Sequence, residues 1–222
     1  MRLRRPLEIA RYRTIYSKYH RHTMIPATRY VWNLCIASKA INIKGAVVEC
    51  GVWRGGMSAG MADVLGPDRN YFLFDSFQGL PPTKPIDGPA AHRFEVTGSK
   101  ETNNATASED EADSAMRMSC ARNYRLVKGW FEDSIPGFET GPIAVLRLDG
   151  DWYDSTMLPL KHLYPKLVEN GIVIIDDYME FDGCSRAIHD FIQTVPEPLR
   201  LLQYANSVHY FVKPPALAVA TS

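Results

Sequence analysis

The sequence predicts an α/β fold in which helices cover both faces of a mostly parallel sheet that ends in an antiparallel hairpin. Three features lead to this prediction: short apolar runs rich in β-branched and aromatic residues, helix-length segments between them, and two final runs separated by a short turn. Alternating strands and helices are typical of parallel sheets, because each crossover needs a connecting segment as long as a helix. With 222 residues, the chain is long enough for one buried core and short for two full domains.

The predicted elements follow one another along the chain. An amphipathic helix over 27–43 comes before the first strand. The predicted strands are 46–52, 70–77, 124–131, 142–152 and 171–178, the later helices are 155–169 and 184–194, and the hairpin pairs 199–207 with 208–214. We therefore expect an N-terminal arm with helices over 1–44, which would make lid or subunit contacts, and a main domain over 45–222.

Residues 79–119 interrupt this alternation. Gly79 to Pro82 and the nearby prolines predict a loop, and 98–115 is polar, acidic and poor in large apolar side chains. Two interpretations stay open here: a mobile lid that orders over a substrate, or a disordered surface insertion.

Composition restricts the class of partner. The chain has 25 basic and 25 acidic residues, so its net charge does not favour nucleic acid or an anionic membrane, and we expect a small-molecule partner. Four widely spaced cysteines, no apolar run long enough to span a bilayer and no signal peptide predict a soluble, cytoplasmic protein. The basic, tyrosine-rich segment 2–22 predicts a helix that packs on the domain or on a second subunit, so a homodimer is expected.

Two acidic clusters each follow an apolar run. They are Asp149-Gly150-Asp151 and Asp176-Asp177, with a helix-length segment between them. A right-handed crossover places the two strands side by side, and ligands of open α/β sheets bind at the carboxyl ends of the strands. In extended geometry Asp149 and Asp151 would point to the same side. Clustered carboxylates require a proton or a cation, and oxygen ligands favour Mg²⁺, Mn²⁺ or Ca²⁺ over zinc.

A glycine-rich segment follows the first strand. Glu49 and Gly51 end the strand, and Gly55 and Gly56 lead into a helix, which is typical of a nucleotide cradle. Neither GxxxxGK[ST] nor GxGxxG is present, and Glu49 would repel a pyrophosphate. Asp75 ends the second strand, where a carboxylate can bind ribose hydroxyls. This combination favours a positively charged adenosine cofactor, S-adenosylmethionine. A metal ion beside it would lower the pKa of an acceptor hydroxyl, and a neighbouring carboxylate would take the proton.

Several segments between residues 23 and 195 match one known family. They are VVECGVWRGGMSAGM, FDSFQGLPP, LVKGWFEDSIP, LRLDGDWYDST, GIVIIDDY and GCSRAIHDF. Together they resemble the macrocin O-methyltransferase family. The resemblance implies a Rossmann-like class I methyltransferase fold with a seven-stranded sheet, and a metal- and S-adenosylmethionine-dependent enzyme that methylates sugar hydroxyls in natural product biosynthesis. It also implies a helix within 93–119, where this chain has its polar acidic stretch.

The resemblance also assigns roles to individual positions. It implies Asp149, Asp176 and Asp177 as ligands of Mg²⁺ or Mn²⁺ and Asp151 as the general base. Cofactor contacts are expected from the loop and the helix after the first strand, from the ends of two further strands and from Asp149. These residues are Glu49, Gly51, Trp53, Arg54, Gly55, Ser58, Asp75, Ser76, Phe77, Trp130 and Phe131.

Other functions remain open at this point. The acceptor could be a catechol-like phenol, or the chain could be a non-catalytic scaffold that keeps the S-adenosylmethionine pocket. A nicotinamide oxidoreductase is disfavoured by the missing GxGxxG motif and by Glu49. His92, inside the interrupting segment, is a candidate substrate contact or base.

Overall fold

A computed structural model describes residues 6–98, 100 and 103–215. Its strands are β1 (Ala46–Cys50), β2 (Asn70–Asp75), β3 (Asn123–Lys128), β4 (Ile143–Leu148), β5 (Leu167–Ile175), β6 (Leu202–Tyr204) and β7 (Val208–Val212). They form a seven-stranded sheet in the order β3-β2-β1-β4-β5-β7-β6. Strands β1 to β5 pair in parallel, whereas β7 is antiparallel to both β5 and β6. The predicted fold class is confirmed.

Helices cover both faces of this sheet. Their bounds are α1 (Pro6–Tyr19), α2 (Ala27–Ala37), α3 (Gly56–Leu65), α4 (Gly88–Arg93), α5 (Glu109–Met118), α6 (Phe131–Ser134), α7 (Tyr153–Leu163) and α8 (Asp182–Thr194). Side chains alternate between the faces along each strand. Val47, Val145 and Ile172 therefore pack with α1, α2, α3 and α5. Val48, Leu146 and Val173 pack with α7 and α8 on the opposite face.

Several elements end earlier than their sequence pattern predicts. The predicted helix over 155–169 ends at Leu163, and β5 already begins at Leu167 because Pro165 interrupts helical hydrogen bonding. Strand β4 ends at Leu148, so the acidic residues after it lie in a loop. Strand β3 ends at Lys128, and Phe131 begins α6. These endings place Trp130, Asp149 and Asp151 in loops at the carboxyl ends of the strands.

The segment 79–119 contains more regular structure than the loop or disordered insertion that its composition predicts. Helix α5 has a capping box, in which the Ser108 hydroxyl accepts from the Glu111 N–H and the Glu111 carboxylate accepts from the Ser108 N–H. Its acidic residues face outwards, while Ala112, Ala115 and Met116 join the core. The expected departure from the family pattern is therefore wrong, because small side chains on one face suffice to dock this polar helix. Residues 99, 101 and 102 lie outside the described part.

The N-terminal arm packs on its own domain. Tyr12, Ile15 and Tyr19 of α1 are buried in the core. Tyr19 and Lys18 both bind the carboxylate of Asp63 in α3, at 2.9 and 2.8 Å. Most of the apolar face of α1 is thus covered within the chain, although Leu7 is exposed, which weakens the argument from which a homodimer was expected. Residues 1–5 of the arm and 216–222 at the other end lie outside the described residues.

Two further expectations can be compared with the structure. All four cysteines are free thiols, and Cys120 alone among them is exposed. Among the residues that the structure describes, no helix is both long and apolar enough to cross a membrane.

Candidate active site

A cavity of about 860 Å³ opens at the carboxyl ends of the parallel strands. Its wall includes Gly51 after β1, Asp75 at the end of β2, Asp149 after β4 and Asp176 after β5. A volume of this order is typical of small-molecule sites. The predicted cofactor half and the predicted acidic half therefore share one cavity.

The loop after β1 depends on a glycine at position 51. Gly51 has a φ of +87°, and a Cβ built there would lie 1.8 Å from the carbonyl oxygen of Asp149. No side chain fits between these two strand ends. The ends of β1 and β4 consequently lie close together, and the cavity floor beside Gly51 is bare backbone.

Asp75 organises the same loop. Its Oδ2 accepts hydrogen bonds from the N–H groups of Val52 and Trp53, at 2.7 and 2.9 Å, and its Oδ1 accepts from the N–H of Phe77 at 2.7 Å. Burial raises the pKa of Asp75, and these three N–H groups act in the opposite direction. Oδ2 thus already accepts two hydrogen bonds, while Oδ1 accepts one and retains acceptor capacity for a ligand hydroxyl.

The predicted cofactor residues separate into two sets. Those that line the cavity are Gly51, Trp53, Asp75, Ser76, Trp130, Phe131 and Asp149. Those that are not on its wall, in the described part of the chain, are Glu49, Arg54, Gly55, Ser58 and Phe77.

The second set has other contacts. Glu49 is 1% exposed and accepts hydrogen bonds from Arg147 and from the Ser58 hydroxyl. Its charge is therefore met by a guanidinium within the protein, and the expectation that it faces a cationic ligand is not supported. Arg54 stacks on the Trp53 ring and pairs with Glu111 of α5 at 2.9 Å.

The remaining two members pack against the protein. Phe77 belongs to the core. A Cβ on Gly55 would lie 2.9 Å from the Ala112 carbonyl oxygen, so the glycine lets α5 pack against the loop.

Asp149, Asp176 and Asp177 form the acidic half. One carboxylate oxygen of each lies within 4.8 Å of one oxygen of each of the others. The sheet explains part of this arrangement, because Asp149 continues the alternate row of Val145 and Arg147, and Asp176 continues the row of Ile172 and Ile174. The three aspartates implied as metal ligands thus come together.

Arg147 is a site residue that sequence reasoning missed. It is 0% exposed, and its Nη1 lies 2.7 Å from both Glu49 Oε1 and Asp149 Oδ2. Its Nη2 lies 2.8 Å from Asp176 Oδ1. The available signal was an arginine inside an otherwise apolar strand, two residues before Asp149 and therefore on the same face of the sheet.

The backbone conformation that places Asp151 at the cavity differs from the predicted extended one. Its φ is +63°, so the backbone there is left-handed and not extended. Its N–H donates to Asp177 Oδ2 at 3.1 Å, and Asp151 lines the cavity beside the three clustered aspartates. The argument from extended geometry was wrong, although the residue does lie on the same wall. Non-glycine residues in this conformation are often found at functional sites.

The acidic half carries uncompensated negative charge. Burial, together with repulsion from the neighbouring carboxylates, raises the pKa of Asp149, Asp151 and Asp177. Arg147 offsets part of this effect at Asp149. A cation would bind favourably among these groups.

Comparison with known proteins identifies the family. The profile described as macrocin O-methyltransferase (TylF) matches residues 16–210, which is most of the chain. The chain belongs to the macrocin O-methyltransferase family. As a member, it is an S-adenosylmethionine-dependent O-methyltransferase.

Two curated relatives illustrate the activities in this family. One is the 8-demethyl-8-(2,3-dimethoxy-alpha-L-rhamnosyl)-tetracenomycin-C 4'-O-methyltransferase of Streptomyces olivaceus, which is 38% identical over 181 residues, covering 77% of this chain and 67% of the relative. The other is the demethyldecarbamoylnovobiocin O-methyltransferase of Streptomyces niveus, which is 37% identical over 161 residues, covering 68% and 59%. The matches thus span about two thirds of the first relative and less of the second.

A solved structure in the same group confirms the fold. The O-methyltransferase NovP superposes with a TM-score of 0.73 at 31% identity, covering 87% of this chain and 82% of NovP. This superposition supports the assignment of the chain to the class I methyltransferase fold.

Segment 79–119 supplies one wall of the cavity of this family member. Pro81, Pro82 and Phe94 line it, and Trp152 Nε1 donates a 2.9 Å hydrogen bond to the Pro81 carbonyl oxygen. Phe94, Trp152 and Phe181 form a cluster of edge-to-face rings with centroids 4.9 to 6.2 Å apart. Sequence reasoning missed these aromatic residues, because their spacing along the chain gives no sign that they meet.

His92 does not belong to this wall. Its side chain is 71% exposed and lies 3.8 Å from Glu95, and it is absent from the described lining of the cavity. Its expected role as a substrate contact or base has no structural support. His162 of α7 lines the cavity instead.

Proposed function

We propose that the protein transfers a methyl group from S-adenosylmethionine to a sugar hydroxyl of a glycosylated natural product, with a divalent cation at the acidic half of its cavity. One observation carries the proposal: the three clustered aspartates, the separate carboxylate of Asp151 and the glycine loop beside Asp75 line the same cavity. The names of the two curated relatives support a natural-product acceptor, and the rhamnosyl substrate of the first supports a sugar.

The donor set is suited to a hard cation. Asp149, Asp176 and Asp177 offer only oxygen atoms, which Mg²⁺ and Mn²⁺ prefer. One oxygen of each is already bound within the protein: Asp149 Oδ2 and Asp176 Oδ1 by Arg147, and Asp177 Oδ2 by the Asp151 N–H. The second oxygens of Asp149 and Asp177 remain for the ion, and the second oxygen of Asp176 lies 3.8 Å from Arg29 Nη1. When bound, the ion would supply Lewis-acid polarisation of the acceptor hydroxyl.

The cofactor half is suited to S-adenosylmethionine, which supplies an electrophilic methyl group. The bare backbone at Gly51 lets a ligand approach closely. Asp75, held by three N–H groups, would accept a hydrogen bond from a ribose hydroxyl through Oδ1. Trp130 and Phe131 line the same cavity and would contact the adenine.

Asp151 is the proposed general base. Its carboxylate would take the proton from the acceptor hydroxyl while the hydroxyl oxygen forms its bond to the methyl carbon and the carbon–sulfur bond breaks. The products are a methyl ether and S-adenosylhomocysteine, and the proton then passes from Asp151 to solvent. Asp151 suits this role because it lines the cavity next to the clustered aspartates without being one of them.

We also propose that the two parts of the chain have different roles. Residues 45–222 would carry the chemistry, and part of 1–44 would close the cavity, because Met24, Ile25 and Arg29 line it. A homodimer stays a prediction, to be tested by light scattering.

A catechol-like phenol is the second candidate acceptor. The cluster of Phe94, Trp152 and Phe181 favours a flat, apolar face on the acceptor, which phenols and the C–H faces of sugars both offer. A non-catalytic scaffold is disfavoured, because it would gain nothing from buried, clustered carboxylates.

The test is a methyl-transfer assay that combines labelled S-adenosylmethionine with a panel of deoxysugar glycosides and catechols. Mass spectrometry of the products would identify the acceptor class, and calorimetry would measure binding of S-adenosylhomocysteine and of Mg²⁺ separately. The Asp176→Asn/Asp177→Asn variant should retain S-adenosylhomocysteine binding and lose both Mg²⁺ binding and turnover. Methylation of catechols alone would overturn the sugar assignment, and turnover unaffected by the double substitution would overturn the metal site.

A further inference from the structure

Arg147 lies at the meeting point of the two halves of the site. In the sheet it is the register partner of Glu49 on β1 and of Ile174 on β5. Residues in register on neighbouring parallel strands point to the same face, and this face is covered by α2. Arg147 therefore sits beneath α2, between the strand that leads to the cofactor loop and the strand that leads to Asp176.

The guanidinium of Arg147 contacts three carboxylates and one amide in that position, and its Nη1 and Nε form hydrogen bonds, whereas its Nη2 makes an ion-pair contact that is not aligned as a hydrogen bond. Its Nη1 contacts Glu49 Oε1 and Asp149 Oδ2, its Nη2 contacts Asp176 Oδ1, and its Nε donates to Asn33 Oδ1 of α2 at 3.1 Å. The Asn33 amide in turn donates to Asp176 Oδ1 at 3.1 Å. A buried cation requires such partners, because an unpaired charge in the core is strongly unfavourable.

The geometry of these contacts is directional. A guanidinium is planar and presents its donors in a fixed fork, whereas an ammonium is a single point charge. Arg147 consequently fixes which oxygen of Asp149 faces the protein, and its ion pair together with the Asn33 hydrogen bond fixes which oxygen of Asp176 does so. The opposite oxygens are the ones that a cation would use, and the one on Asp176 has Arg29 Nη1 at 3.8 Å as its ion-pair partner.

We infer that Arg147 is a positioning residue for the cation site, which sets the orientation of Asp149 and Asp176 and connects them to Glu49 beneath the cofactor loop. The inference rests on the proposed metal-assisted methyl transfer. It assigns Asn33 an auxiliary role, since Asn33 holds the Nε edge of the guanidinium and the same oxygen of Asp176. Arg147 itself need not touch the cation, the cofactor or the acceptor.

The test compares Mg²⁺ binding in the full-length protein with that in Arg147→Lys, with Arg125→Lys as the matched control. Arg125 lies on β3, is exposed and stacks on Phe138, outside the cavity. Calorimetry of Mg²⁺ and of S-adenosylhomocysteine is run on each protein after circular dichroism has shown that it is folded. We expect Arg147→Lys to weaken Mg²⁺ binding about tenfold or more, as is usual for residues that orient metal ligands, while the control is unchanged.

A kinetic readout separates positioning from general damage. In Arg147→Lys the Mg²⁺ concentration for half-maximal turnover should rise with the Kd, while S-adenosylhomocysteine affinity stays within about threefold of the unsubstituted protein. Should Arg147→Lys fail to fold, Asn33→Ala takes its place, because it keeps every charge and removes the Nε partner, one hydrogen bond to Asp176 and one to the Arg29 carbonyl oxygen within α2. We expect it to weaken Mg²⁺ binding about threefold.

The outcomes are distinct. Unchanged Mg²⁺ affinity in a folded Arg147→Lys or, in its place, Asn33→Ala overturns the inference and leaves the proposed function intact. Failure of the unsubstituted protein to bind Mg²⁺ overturns both the inference and the metal-assisted mechanism. Equal losses of Mg²⁺ and S-adenosylhomocysteine binding would show a general structural role and would also overturn the inference.

Discussion

Trp152 Nε1 donates a 2.9 Å hydrogen bond to the carbonyl oxygen of Pro81. Trp152 follows the acidic loop after β4, and Pro81 belongs to the segment that forms the opposite wall of the cavity. This hydrogen bond, together with the Phe94–Trp152 ring contact, therefore connects the loop with the proposed base to the wall that would face the acceptor. Removal of this hydrogen bond should therefore affect both the acidic loop after β4 and the wall formed by segment 79–119.

Trp152→Phe is expected to impair acceptor binding more than cofactor binding. Phenylalanine keeps a ring beside Phe94 and Phe181 but leaves the Pro81 carbonyl without its donor, which should lower the free energy of unfolding by about 1 kcal/mol. The KM for the acceptor should rise while S-adenosylhomocysteine affinity is retained. Trp32→Phe is the control, because Trp32 packs edge-to-face on Tyr204, outside the described cavity lining. An unchanged acceptor KM would contradict the assignment of this wall.

Asp151→Asn is expected to abolish most turnover without loss of binding. The amide keeps the shape of the side chain but cannot take the acceptor proton, so kcat should fall about a hundredfold or more. Calorimetry should give the same affinity for S-adenosylhomocysteine. Asp68→Asn serves for comparison, since Asp68 forms an exposed ion pair with Arg122 and should leave kcat unchanged. A fully active Asp151→Asn enzyme would remove Asp151 from the mechanism.

Chelation is expected to stop turnover reversibly. Because the clustered aspartates present only oxygen ligands, Mg²⁺ or Mn²⁺ should restore activity after treatment with EDTA, and Zn²⁺ should restore it poorly. The measurement is the initial rate of methyl transfer against the concentration of each added ion. Full activity in the presence of excess EDTA would exclude an exchangeable metal at this site.

Gly51→Ala is expected to destabilise the folded protein far more than a substitution that introduces backbone strain alone. Its Cβ would overlap the Asp149 carbonyl oxygen, so the loss should be about 3 kcal/mol or more in the free energy of unfolding, with loss of S-adenosylhomocysteine binding. Gly137→Ala separates the two effects, because Gly137 has a φ of +76° with no atom within 4 Å of the added Cβ, and should lose about 1 kcal/mol. Chemical denaturation would measure both. Equal losses would show that overlap with Asp149 is unimportant.

Much of the fold followed from local patterns. The runs that became β1, β2, β4 and β5 were recognisable because a parallel strand buried on both faces is continuously apolar. Helix α5 was not predicted from local pattern, although Ser108 and Glu111 have the spacing of a capping box, because the acidic composition around them indicated a loop. The early end of β4 was not visible, because the apolar run and the acidic loop are continuous in sequence.

The sequence by itself determined which chemistry meets at the sheet edge. Asp75, Asp149 and Asp176 each end or follow a strand, and parallel topology carries the ends of such strands to one side whatever the packing details. Tertiary structure decided the contacts of these groups. Glu49 binds Arg147 and does not line the cavity. Asp151 lines the cavity because its backbone is left-handed and not extended. These outcomes depend on strand register, on desolvation in a shared core and on contacts between residues 26 to 98 positions apart, which leave no local pattern.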